Sequence, residues 1–294
     1  MLGLVAAMTA LLLQAPNIDP QDAQTGARVG DVYEIRIRQE TAENSSDGLS
    51  SGSSHSRSTL MERVIAVRDT GVELEFDLPA EATPEDRARI WQYPARVLQP
   101  PRGALQLLNG PELEGRVDAW LRAAGLPREA CGRWYFTWNA FQIECDPQSV
   151  IQGLARLDLR VEDLRDGAPY QDPSSRGPAP LRRQPPDRDG AIFVVELEVD
   201  PEAARRERAE ADIVVAEITR GERISLETAL QARSTERISG TMTITFETDD
   251  AGRVRRRTKV TRLEIVEASG TRETHTSTET VERQLVARAL RPEP

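Results

Sequence analysis

Residues 72–78 alternate strictly: Val72, Leu74, Phe76 and Leu78 are apolar, and Glu73, Glu75 and Asp77 between them are acidic. A period of two places one set on a buried face and the other in solvent, the pattern of a half-buried β-strand. A two-residue turn at Thr70-Gly71 sets Val67 opposite Leu74 and Ile65 opposite Phe76, so that two apolar faces coincide. Tyr33, Ile35 and Ile37 alternate in the same way with Glu34, Arg36 and Arg38, and this strand is expected to pair with one near residues 59–69. The Ser- and Gly-rich residues 41–58 between them read as a long mobile connection.

The carboxyl-terminal third repeats this grammar. Ile224, Leu226, Thr228 and Leu230 form one alternating set, and Ile238, Met242, Ile244 and Phe246 another, so both stretches are expected to be strands. A three-residue loop Asp250-Ala251-Gly252, with Gly252 at positive φ, sets Met242 opposite Val260 and Ile244 opposite Thr258, and pairs Glu247 with Arg255 and Asp249 with Arg253. Beyond Val260 the apolar positions move to Leu263 and Ile265, which predicts a bulge near Thr261-Arg262. A last strand follows over residues 271–286, with Thr274, Thr276, Thr278 and Thr280 on one face. Residues 200–220 read as a short helix capped by Asp200-Pro201, then a strand through Ile213, Val214 and Val215.

Between these β regions the period changes to that of helices. Thr83 caps a helix starting at Pro84, with Asp86 at the capping-box position. Pro111 starts a second, whose stripe is Leu113, Val117, Trp120, Leu121 and Ala124 and which ends at Gly125. Asp146-Pro147 opens a third, buried through Val150, Ile151 and Leu154. Trp134, Tyr135, Phe136, Trp138 and Phe141 gather between Cys131 and Cys145, and are expected to form the core of a small subdomain, an exposed patch that meets a partner protein being the alternative. Six of the 19 prolines fall between Pro169 and Pro186, a density that predicts a linker without regular structure.

Charge and composition narrow the setting. The chain has 294 residues, a net charge of −10, 38% hydrophobic and only 4% aromatic residues. An acidic surplus argues against non-specific binding to nucleic acid, whose phosphates require Lys and Arg. Leu2 to Leu13 is an apolar run of signal-peptide length, too short to span a bilayer as a helix, which needs about 20 residues. No Lys or Arg precedes it, and a buried amino-terminal helix is the alternative. An isolated pair of cysteines in an exported chain is most simply a disulfide, so Cys131 and Cys145 are expected to be bonded and the protein periplasmic or secreted, with no transmembrane segment in the mature chain.

Candidate chemistry is sparse. Gly48-Leu49-Ser50-Ser51-Gly52 matches G-x-S-x-G, but a nucleophile elbow needs a strand before it and a helix after it, and here both flanks are Ser/Gly-rich. His55 and His275 are the only histidines and have no metal-ligand neighbours at usable spacing. We therefore expect no catalytic residues, metal or cofactor, and a hydrolase ranks last. Arg253, Arg255, Arg257 and Lys259 share one strand face by parity, a basic row that either meets anionic envelope material or pairs with Glu247 and Asp249.

The expected fold is mainly β with an α insert (α+β): a curved antiparallel sheet or half-barrel carrying a small helical, disulfide-closed subdomain. Its parts are a signal peptide and start of the mature chain (1–23), an amino-terminal β region (30–78), the insert (79–167), the Pro-rich linker (168–189) and a carboxyl-terminal β region (190–288). At the level of architecture alone this is similar to periplasmic half-barrels of the lipoprotein-carrier type; no motif carries the resemblance, and the insert departs from it. The first functional expectation is a non-enzymatic envelope protein whose sheet face, lined by Phe76, Ile224, Leu226, Met242, Ile244 and Phe246, holds a lipid or other apolar ligand. The alternative is an interaction or structural protein of the envelope in which the insert closes that face and the partner is another protein.

Overall fold

The computed structural model describes residues 26–48, 51–137, 140–185 and 190–288. The apolar run at 2–13, Leu49 and Ser50 of the G-x-S-x-G stretch, and Trp138 lie outside the described residues. In chain order the elements are β1 (Val32–Ser45), β2 (Ser51–Arg68), β3 (Gly71–Asp77), α1 (Pro84–Arg89), β4 (Ala95–Gln99), β5 (Gln106–Leu107), α2 (Gly110–Ala124), β6 (Trp134–Phe136), β7 (Ala140–Gln142) and α3 (Ser149–Ala155). There follow β8 (Pro169–Tyr170), β9 (Ala179–Pro180), β10 (Arg182–Gln184), β11 (Ile192–Glu198), α4 (Pro201–Arg220), α5 (Leu226–Ala232), β12 (Arg237–Thr248), β13 (Val254–Val266) and β14 (Arg272–Ala287).

Ten strands make one curved, open antiparallel sheet in the order β10-β11-β12-β13-β14-β1-β2-β3-β4-β5. The two β regions are therefore a single sheet, joined where β1 pairs with β14 from Val32↔Ala287 to Ser45↔Glu273. One face is apolar at both ends. On the β1–β4 side Ile35, Leu60, Val64, Leu74, Phe76 and Val97 form a core with Leu113, Val117 and Leu121 of α2 and Leu154 of α3. On the β11–β13 side Phe193, Val195, Leu197, Met242, Ile244, Phe246 and Ile265 form a second core beneath Ala168 and Leu181. Val254 packs against both. The outer face is polar: Thr258 and Thr280 lie with their hydroxyls 3.4 Å apart, and Arg256 bridges Glu247 (3.2 Å) and Glu282 (3.0 Å).

The three insert helices sit where capping and periodicity place them. Thr83 and Asp86 form the reciprocal capping box of α1, and Gly125 ends α2 in the left-handed region. Elsewhere the structure corrects the sequence-based expectations. Residues 226–232 are helix α5, not strand: the Ser225 hydroxyl accepts from the Thr228 N–H at 3.1 Å, and Leu226, Ala229 and Leu230 share one side at helical spacing. α4 runs unbroken through Ile213, Val214 and Val215 because Ala204, Ala209 and Ala216 bury one face, and this packing overrides the β preference of those residues. The stretch 41–58 is mostly ladder, Thr41 pairing with Ser54 and also with Ser277, since β14 offers a template on the other side. The Pro-rich segment carries three short strands, and its Leu181 is fully buried.

Two of the expected registers are shifted by bulges. In β2–β3 the loop is Asp69-Thr70, with Arg68↔Gly71, and a bulge between Val64 and Ala66 sets Val64 opposite Leu74 and Glu62 opposite Phe76. Gly71 has φ 138°, and a Cβ there would lie 2.2 Å from the Gln99 carbonyl oxygen. In β12–β13, Gly252 takes φ 78° and Asp249 faces Arg253 as expected, but a bulge beside Glu247 places Met242 opposite Thr261 and Ile244 opposite Lys259. The ladder is then continuous through Thr261 and Arg262, where no bulge occurs; Val260 simply faces outward.

Cys131 and Cys145 are bonded, with Cα atoms 5.6 Å apart. Closing a loop of this length restrains the unfolded chain by about 3 kcal/mol. The variant Cys131→Ala/Cys145→Ala is expected to lose about that much in urea denaturation, and the same loss is expected of the wild type under reducing conditions. A loss below ~1 kcal/mol would show that the loop is already constrained when unfolded.

Candidate functional site

β1, β2, β3 and β14 present Ile35, Glu62, Leu74, Phe76 and Arg283 to the inner side, because directly paired residues share a face. Residues 154–164 of the insert pass over them. The two layers do not close completely, leaving a cavity of about 280 Å³. Its walls are mostly apolar, with Val72, Leu74, Phe76, Leu105, Leu154 and Leu159 prominent, and Arg160 and Arg253 also line it. Ligand pockets commonly span about 300–1,000 Å³, so this one suits a small or slender molecule.

One ion pair lies at the cavity floor. Both Glu62 oxygens accept from the Arg283 Nε at 3.2 Å, a further bond runs from its Nη2, and the guanidinium stacks 3.4 Å from the centre of the Tyr33 ring. The Glu62 side chain is only 6% exposed. Burial lowers the pKa of Arg283, but the adjoining Glu62 carboxylate and Tyr33 more than reverse this, so the group is held above its ordinary value and stays charged. The other charges of the lining are matched too: Arg253 pairs with Asp249 at 2.8 Å, and Arg160 holds Asp158 while donating to the carbonyls of Pro100 and Gly103. The cavity offers an arriving molecule apolar walls and no uncompensated charge.

Of the residues expected on an apolar ligand face, only Phe76 lines this cavity. Met242, Ile244 and Phe246 share the inner face but are each 1% exposed in the second core. Ile224 precedes α5, and Leu226 is its first residue, lining an open groove of about 480 Å³ with Glu202, Arg205 and Glu227, away from the sheet. The basic row does not share one face. The bulge interrupts it: Arg255 reaches Glu247 at 3.4 Å, while Arg257 and Lys259 turn inward. Arg257 pairs with Glu279 at 3.1 Å and donates to the carbonyls of Arg156 and Asp158, and Lys259 pairs with Asp172 at 2.9 Å. Arg257 thus ties the roof of the cavity to the sheet, and Lys259 ties down the Pro-rich segment that covers the second core.

No family model and no curated protein matches the chain. Among solved structures the chain is similar to lipovitellin, in a study of its lipid–protein interactions, with 10% identity and a TM-score of 0.41 over 90% of this chain and 26% of that one. The chain thus spans about a quarter of the lipovitellin chain. It is also similar to the Neisserial surface protein NspA, with 6% identity and a TM-score of 0.20 over 85% and 96% of the two chains. A hot dog fold protein of unknown function from Alicyclobacillus acidocaldarius has 10% identity and a TM-score of 0.11.

His275 has a more structured setting than its spacing implied. Nδ1 lies 3.1 Å from Glu43, and Nε2 lies 3.2 Å from Glu273 and 3.3 Å from Arg208. Burial raises the pKa of Glu273, but the His275 hydrogen bond and the Arg208 charge outweigh it and hold the carboxyl below the usual range. This cluster fastens α4 to the sheet. His55 is exposed on β2. The sequence reading missed Glu62 and Arg283, although a signal was present: each interrupts an inward-facing apolar series, Leu60-Glu62-Val64 and Val281-Arg283-Leu285.

Proposed function

We propose that the protein is a non-enzymatic periplasmic or secreted protein that binds a small, uncharged apolar ligand or a lipid chain in the cavity between the sheet and the insert. The observation that carries this reading is a preformed, mostly apolar cavity of about 280 Å³ whose charged lining residues are already paired. An anionic ligand finds Arg283 occupied by Glu62, whereas an alkyl chain or small hydrocarbon ring gains from every wall it touches. The disulfide supports a location outside the cytoplasm. Among the described residues no helix is long and apolar enough to cross a membrane.

Native mass spectrometry and solvent extraction of the purified protein should reveal a co-purifying apolar molecule. The emptied protein should bind phenylnaphthylamine saturably, and decanol should displace it. Leu105→Phe and Leu159→Phe fill the cavity and are each expected to weaken this binding by at least about tenfold, one extra buried ring displacing most of the ligand's contacts. Absence of both an extracted molecule and saturable binding, or binding unchanged in both filled variants, would overturn the proposal. Ester and glycoside panels test the non-enzymatic part: turnover abolished by Ser50→Ala would reverse it.

A further inference from the structure

The disulfide closes a hairpin whose outer aromatic rings the rest of the fold leaves exposed, while Trp134 at its base is half-buried. β6 and β7 pair as Trp134↔Gln142, Tyr135↔Phe141 and Phe136↔Ala140. Its aromatic residues were expected to form a core, yet Phe136 is 63% exposed, Phe141 43% and Tyr135 37%. Alternation along a strand distributes them over both faces: Tyr135 and Phe141, with ring centres 6.2 Å apart, occupy one, and Trp134 and Phe136 the other. From Trp134 to Ile143 there is no Asp, Glu, Lys or Arg, in a chain that is 29% charged. A flat protein partner would cover one face and leave the other wet; a medium that surrounds the hairpin covers both.

The base of the hairpin carries charge. β6 runs beside α4, where Arg133 and Arg223 both approach the same carboxylate oxygen of Glu217, at 3.8 and 3.4 Å. Two cations share one anion, and both arginine side chains are more than half exposed while Glu217 is 8% exposed. Glu144, the first acid after the hairpin, is engaged by the backbone N–H groups of Cys145 and Asp146, and Glu222, beside Arg223, pairs with Arg220 at 3.7 Å. Val215 of α4, 56% exposed, adds apolar surface on that helix.

We propose that this hairpin is a membrane-docking element: its aromatic rings enter the interfacial layer of a phospholipid bilayer, and Arg133 and Arg223 meet lipid phosphates at its base. Trp and Tyr favour that layer because one part of the side chain is apolar and the other carries a polar N–H or O–H, Phe136 and Phe141 bury wholly apolar rings at its acyl boundary, and Arg above them matches the phosphate level. The disulfide holds the hairpin in shape before contact, so little conformational freedom is lost on insertion. The net charge of −10 opposes strongly anionic surfaces, so the membrane is one rich in zwitterionic lipid. The inference is independent of the cavity.

Flotation of the full chain with phosphatidylcholine vesicles tests it, with tryptophan quenching by lipids brominated in the chain as the second readout. The wild type should float and be quenched. Phe136→Ser and Phe141→Ser, both at exposed positions that leave folding intact, should each lower partitioning by about tenfold, and Arg133→Glu/Arg223→Glu should lower it too. Leu105→Phe, which fills the cavity, should float like the wild type, separating this result from that of the ligand proposal. Failure of the wild type to float, or flotation unaffected by both serine variants, would overturn the proposal. So would concentration-dependent dimerisation abolished by Phe136→Ser in a protein that ignores vesicles, which would make the hairpin a self-association site.

Discussion

Glu62→Ala is expected to destabilise the protein by about 3 kcal/mol, near the lower end of the range for breaking a buried ion pair. The lower end applies because the Arg283 side chain retains 27% exposure and borders a cavity that water can enter. The loss does not measure the attraction of the pair; it is mostly the cost of leaving a guanidinium beneath the insert with only the Tyr33 ring for company. The double variant Glu62→Leu/Arg283→Leu removes both charges and should therefore recover most of the loss, as replaced buried pairs commonly do. Urea denaturation of the two single variants and the double variant gives the coupling directly. Should Glu62→Ala cost less than ~1 kcal/mol, the pair is solvated and the cavity floor is wetter than its walls imply.

The same substitution bears on ligand selection. With Glu62 present the floor is neutral, and an uncharged molecule is favoured. Without it, Arg283 is free to receive an anionic headgroup, so Glu62→Ala should acquire octanoate binding that the wild type lacks.

Much of the sheet was legible in the sequence because a half-buried strand writes its two faces into alternate positions. β3, β12 and β14 follow that rule. The registers were less legible: a bulge changes parity after one residue, and neither Ile65 nor the position beside Glu247 carries a turn residue that marks it. The helix α5 was misread for a related reason, since Leu226 and Leu230 fit both an alternating series and one side of a helix; Ser225 as a cap was the distinguishing feature. Strand β11, with Phe193, Val195 and Leu197 inward, follows the alternating pattern but lies beyond a Pro-rich stretch read only as a linker. The cavity could not be foreseen, because it exists only between residues 154–164 and strands far away in sequence. Even so, Glu62 and Arg283 stood out as opposite charges at inward positions of two strands, and such a pair is explained only if the strands meet through a third. β1 is that third strand, lying between them in the sheet.

Phe246→Ala should cost about 3–5 kcal/mol, the usual range for removing a buried phenyl ring when its surroundings relax only in part. Phe246 is 1% exposed, lies opposite Phe193 in the sheet, and meets the Tyr170 ring edge-on at 5.2 Å between centres. Tyr170 belongs to the Pro-rich segment that roofs the second core, so the ring joins the sheet to its cover. Loss of that contact should loosen residues 168–181 first, and hydrogen exchange at Leu181, whose N–H donates to the Ala168 carbonyl at 2.8 Å, should report it. The consequence for binding separates the two apolar regions of the inner face. If the ligand occupies the cavity lined by Phe76, Phe246→Ala lowers stability while phenylnaphthylamine binding by the remaining folded protein is unchanged. If a ligand instead lies against Met242, Ile244 and Phe246, as the alternating pattern alone suggested, the variant weakens binding by at least about tenfold, corresponding to the lost burial of one ring. Stability and binding measured on the same preparation decide between the two places, because only the second makes them fall together.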